Sequence, residues 1–204
     1  MTRLAPPGRS GRLILRRRLV TSGRAGDLLS QKEEALRRER ERLSGQVVRT
    51  RTVWEHSCAE MDAAVARVRL LGGATELRAM TVARADEATV TCRWQTAMGV
   101  EYPGDVTVEP GPVPRSVSTA AFGPATLACR TALAAGAEHA AAVLAVERID
   151  HELAETRRRR RAVMDRLVPQ LARELHQVEI DLDEAEREEA LRTRLAVARR
   201  DEET

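Results

Sequence analysis

From about Gly11 to Leu71 the chain holds no proline, and Leu15, Leu19, Leu29, Leu36, Leu43, Val47, Trp54, Met61, Val65 and Val68 recur at steps of three, four or seven. That spacing is the apolar stripe of a long helix with a coiled-coil seam. At about 1.5 Å per residue it predicts a helix of roughly 90 Å, and one so long with a single stripe needs a partner. The stripe stops at "LLGGATEL", where Gly72 and Gly73 supply a C-terminal stop.

From there to about Pro124 the pattern changes. "TVARADEATVTCRWQT" is rich in Thr and Val, and "MGVEYPGDVTVEPGPVPRS" concentrates Gly and Pro, which predicts short strands and turns in a small hairpin-like insert. A second helix is predicted from about Pro124, well placed at a helix start, to about Arg199. Its stripe is Leu127, Leu133, Val143, Val146, Ile149, Leu153, Val163, Leu167, Leu171, Val178, Leu182, Ala185 and Leu195. Successive steps of four from Val163 to Leu175 shift the seam off a strict heptad and predict local unwinding of the supercoil. Pro169 lies in that shifted part and predicts a kink or bend.

The predicted fold class is therefore all-α: a long antiparallel two-helix coiled-coil hairpin with a small β-hairpin-like insert. The segments are 1–71, 72–125 and 126–204. Composition agrees with a narrow seam, because aromatics are 2% of the 204 residues and charged residues 32%, while apolar residues reach 43%.

Charge adds a register. If Leu71 lies near Leu127, the basic start (Arg9, Arg12, Arg16, Arg17, Arg18) faces the acidic "DLDEAEREE", with Asp181, Asp183, Glu184, Glu186, Glu188 and Glu189. Arg157 to Arg161 then face Glu39 and Glu41, with Glu33 and Glu34 nearby. Five consecutive arginines wrap a helix, so the run reads as a solvated collar, as a docking collar for another protein, or as a nucleic-acid contact. The net charge of +3 and the lack of interleaved aromatics weigh against nucleic acid.

No catalytic chemistry is legible. His56, His139, His151 and His176 share no i, i+4 face, Gly72-Gly73 lacks the lysine of a phosphate loop, and Cys58, Cys92 and Cys129 are widely spaced. No catalytic, cofactor or metal residue is assigned. The apolar runs are too short for a signal peptide or a membrane span, which predicts a soluble, cytoplasmic protein in a reducing compartment.

Three stretches resemble the D subunit of the V-type and A/V-type rotary ATPases, the central rotor shaft. Near the start, "PGRSGRLILRRRLVTSGRAGDLLSQKEEAL" is similar to the family opening through Pro7, Arg9, Leu13, Arg18, Leu19, Arg24, Leu28, Leu29 and Lys32. In the middle, "TAMGVEYPGD" resembles its Met-Gly-Val-x-x-Pro signature through Met98, Gly99, Val100 and Pro103. Near the end, "RRRRRAVMDRLVPQLARELHQVEIDLDEAEREEALRTRL" resembles its Arg-rich, Ile-Pro-x-Leu and acidic pattern, with Pro169 as the family proline. Gly8, Ala25 and Ala190-Leu191 depart from it, the last pair replacing two phenylalanines.

The resemblance implies a non-catalytic rotor without cofactors. Its partners would be the catalytic A and the B subunits of a hexamer, the F subunit, and the ring-adaptor subunit of the membrane sector, with the insert end toward the F subunit and the adaptor. It would lie on the cytoplasmic face of the membrane, touching it only through partners. The partner or coupling candidates are Arg16, Arg17, Arg18, Arg24, Met98, Gly99, Val100, Pro103, Arg160, Pro169, Glu186 and Glu188. A coiled-coil scaffold without a role in ion transport would share the stripes but has no reason to carry the Met-Gly-Val-x-x-Pro insert.

Overall fold

The fold was obtained as a computed structural model, which describes residues 8–82, 88–111 and 120–202; Pro7 of the opening motif lies outside them. Helix α1 spans Arg9–Leu70, and the Gly8 carbonyl accepts its first backbone bond from Arg12. It ends where predicted. Gly72 takes φ +87°, its N–H bonds the Arg69 carbonyl at 3.3 Å, and Gly73 N–H bonds Val68 at 3.0 Å. This two-bond motif satisfies carbonyls that the last turn leaves unpaired, and it needs the left-handed backbone that glycine adopts without strain.

The segment after the stop differs from the expectation of strands alone. Ala74–Val82 forms a nine-residue helix, α2, with Glu76 in its first turn. Leu, Arg, Ala and Met are strong helix formers, and an acidic residue favours a helix start. Strands β1 (Thr89–Ala97) and β2 (Val100–Glu109) then pair antiparallel.

Helix α3 (Phe122–Arg161) passes into a π-helical segment, Ala162–Leu167, and on into α4 (Val168–Glu202). The unwinding expected near Pro169 thus takes the form of a wider turn, in which Val168 N–H bonds back to the Val163 carbonyl.

The chain divides into two compact units, one of residues 34–154 and one of residues up to 33 together with those from 155 onward. In the first, Arg40 bonds Asp150, Trp54 stacks on His139, and Val68 packs with Phe122, so partners on α3 descend in number as those on α1 ascend. In the second, Arg9, Arg16 and Glu33 meet Glu186, Glu179 and Arg157 in the same sense. Both are antiparallel helix pairs. The fold class is all-α with a two-stranded insert.

The seam of α3 departs from the predicted stripe. Leu127 and Leu133 are exposed, and the buried row is Ala125, Ala132, Ala135, Ala142 and Ala145, continued by Ile149 and Leu153. Small residues here let bulky partners on α1 fit, as close packing demands. A Cβ on Gly136, for example, would lie 3.0 Å from Nε1 of Trp54.

Candidate functional site

The insert lies against the helix pair of its own unit. Tyr102 is 4% exposed and sits in a cluster with Leu36, Leu43, Ala145, Ile149 and Leu153. A phenol buried this way requires a polar partner for its hydroxyl, and it donates to Glu39 Oε1 at 2.6 Å. Glu39 also accepts from Arg42 at 2.7 Å. Bonding from Arg42 holds the Glu39 carboxyl below its usual range, with Tyr102 acting in the same direction. Burial, then the bond to Glu39, pushes the Tyr102 phenol up.

A second anchor lies nearby. The Arg148 guanidinium sits 4.8 Å over the Trp94 ring, and its Nη1 donates to the Glu101 carbonyl at 3.1 Å. Between the strand turn and α3 opens a groove of about 830 Å³, bordered by Val100, Glu101, Leu144, Glu147 and His151.

The turn explains two candidate residues. Ala97 pairs with Val100, so Met98 and Gly99 form a two-residue loop, with φ of 51° and 81°. Two consecutive positive φ values define the hairpin turn whose twist matches that of the strands. Met98 holds this backbone as a non-glycine residue, and its side chain is 55% exposed. Pro103 pairs with Trp94 beside a register irregularity. Counted from the two-residue loop, that position faces its missing N–H away from the ladder, the setting in which a strand tolerates proline.

The other candidates lie in the second unit. Glu33 is 6% exposed and accepts from Arg157 Nε and Arg160 Nε, both at 3.0 Å. This corrects the register expected for the arginine run, which placed Glu39 and Glu41 opposite it; Arg158 and Arg159 bond Glu155 on their own helix. Nearer the chain ends, Arg16 meets Glu179 at 2.6 Å and Arg9 meets Glu186 at 3.0 Å. The charge pattern predicts Arg16 beside Asp181 to Glu186, so the pairing is displaced by about a turn. Arg17, Arg18 and Arg24 are exposed. Glu188 bonds Arg192 four residues on, at 3.0 Å. Pro169 is the second residue of α4, with Val168 between it and the π segment.

Among the described residues, no group of three or more His, Cys, Asp or Glu is placed to hold a metal ion, and no helix is long and apolar enough to cross a membrane. Cys58, Cys92 and Cys129 are free thiols.

Two antiparallel helix pairs, with a hairpin laid on one of them, are the geometry that a related family has to share. Residues 12–198 match the family of the ATP synthase D subunit. The chain belongs to the ATP synthase D-subunit family. No curated protein matches the sequence. As a member of the D-subunit family, the chain is a component of a rotary ATPase and works within an ATP synthase complex.

Within this D-family chain, the Met-Gly-Val-x-x-Pro stretch is the strand turn and the regularly paired start of β2, up to the register irregularity. The sequence reading missed Tyr102, Arg42, Trp94 and Arg148, which seat that turn together with Glu39, the residue it set opposite the arginine run. One signal was present: Tyr102 is the single tyrosine in a chain with 2% aromatics, and it immediately precedes the motif proline.

Proposed function

We propose that this chain is the non-catalytic central-stalk rotor of a V-type or A-type ATPase. In this role it couples ATP hydrolysis or synthesis in a hexamer of A and B subunits to proton or sodium translocation. The observation that carries the reading is the family match over residues 12–198, which takes in both helical stripes and the insert.

The geometry supports a shaft in three ways. Helix pairs locked by buried Leu36, Leu43, Ile149 and Glu33 resist sliding when torque is applied at one end. Apolar side chains that find no seat in the second unit, among them Leu13, Leu28, Leu191 and Leu195 at 55–64% exposure, offer surface to a surrounding collar of other subunits. The turn around Met98 and Trp94 supplies a differently built surface for the F subunit and the ring adaptor. On this reading residues 1–71 and 126–204 are the shaft and 72–125 the coupling insert. Arg16, Arg17, Arg18, Arg24 and Glu188 are contacts for the hexamer bore, and the complex lies on the cytoplasmic face of the membrane.

The experiment is reconstitution with A, B and F subunits, with and without this chain. Addition of the chain should be required for ion-coupled turnover, while the purified chain alone hydrolyses no ATP. Coupled turnover without it would refute the rotor.

A further inference from the structure

Ala142, Ile149 and Thr156 are buried at intervals of seven along α3. The next seats in that register are Val163 and Gln170. The residue buried there is instead Leu171, at 6% exposure, and Val178, seven further on, is half-buried. Between Val163 and Leu171 the chain therefore carries one residue more than a heptad. A residue inserted into a strict heptad turns everything beyond it by about 100° relative to the row of Ala142, Ile149 and Thr156.

The six-residue π segment Ala162–Leu167 lies where the extra residue has to be absorbed, and its i→i−5 bond from Val168 to Val163 makes the wider turn that takes it up. The seam on either side is held. Upstream, Glu33 grips Arg157 and Arg160; downstream, Leu171 is buried and Glu179 bonds Arg16. The π segment itself contributes no buried residue. Met164 packs against α1, its sulfur occupying the space that a Cβ on Gly26 would need.

We propose that this one-residue skip builds a torsional joint into the shaft: a π turn without a buried residue between two fixed seams, where winding and unwinding disturb fewer core contacts than in the flanks and twist therefore concentrates. The skip, not Pro169, creates it. The mechanical meaning rests on the rotor reading; the joint does not.

Amide hydrogen exchange on the full chain tests it. In the wild type, amides of 163–168 should exchange at least about tenfold faster than those of 150–156 under native conditions, as expected for a locally weak element. Deleting Ala162 removes the extra residue, so the segment should become α-helical and its exchange should slow to the rate of its flanks. Pro169→Ala restores a donor but leaves the skip, so fast exchange should persist. Equal protection of segment and flanks in the wild type, or a slowing by Pro169→Ala as large as that from the deletion, would overturn the proposal. In the reconstituted complex, the deletion should narrow the angular fluctuation of a probe on the stalled shaft. An unchanged spread there, with the exchange results as expected, would refute the torque-bearing role and leave the joint. Failure of the chain to assemble at all would instead count against the rotor reading.

Discussion

Tyr102 donates its hydroxyl to Glu39 at 2.6 Å, tying β2 to the helix pair of its unit far from the Gly72 stop where α1 ends. The bond reaches a carboxylate already engaged by Arg42, so it is charge-assisted and directional. Tyr102→Phe keeps the ring in its cluster and removes only the donor. Loss of about 1–2 kcal/mol is expected from urea unfolding, with faster amide exchange over 100–109 and no change in the helices away from the hairpin. Equal exchange in the variant would mean that ring burial alone seats the insert.

The same pair sets a pH window. Glu39 titrates below its usual range, so its contribution is complete above the unfolded carboxylate value and is lost as pH falls through the folded one. Tyr102 titrates above its usual range, so its contribution is complete below the unfolded phenol value of about 10 and is lost as pH rises through the folded one. Emission from Trp94, read in a Trp54→Phe background, should hold a plateau between these limits and shift on both sides. Glu39→Gln should abolish the acid-side transition.

Much of this architecture is legible in the sequence because it depends on periodicity and on glycine. The α1 stripe finds Leu15, Leu36, Leu43 and Val68 buried, and Gly72-Gly73 marks the helix end. What was not legible depends on packing between segments distant in the chain. Leucine outranks alanine as a core residue on any hydropathy scale, so Leu127 and Leu133 looked like the seam; only the bulk of Trp54 across from Gly136 shows why alanines take it. The charge complementarity between the chain ends was readable, but not its phase, because that is fixed by the seam and by a π turn. Tyr102 and Glu39 are 63 residues apart in the chain, and no local pattern joins them.

Glu33 is the most deeply buried charge in the second unit's pairing, and its two arginine partners are 42% and 38% exposed. Removing one side of a fully buried ion pair costs about 3–5 kcal/mol. Here the arginines regain water, so Glu33→Ala should cost roughly 1–3 kcal/mol once screening is discounted. Arg157→Ala and Arg160→Ala should each cost less than Glu33→Ala, because each leaves Glu33 the other arginine of the fork. Thermal unfolding of the three single variants and of Arg157→Ala with Arg160→Ala checks the ordering; a double arginine variant as stable as either single one would show that Glu33 is held by other groups.

Arg16 and Glu179 fix which residues of the two chain ends are neighbours, and their bond is exposed, with side chains 55% and 34% accessible. Such pairs contribute only about 0.2–1 kcal/mol, so a single reversal, Arg16→Glu or Glu179→Arg, should destabilise by that order. Combining both reversals restores opposite charges at the same seat. The double variant should therefore be more stable than the sum of the single effects predicts, with the coupling shrinking as salt rises. The pairing of Arg16 with Asp183, the register suggested by charge alone, provides the control: Arg16→Glu with Asp183→Arg should show no such coupling. Coupling to Asp183 instead of Glu179 would place the helices about one turn out of the register described here. Opposite charges still meet in a slip of that size, so exposed pairs of low individual worth select chiefly against larger slips and parallel pairing, in which like charges meet.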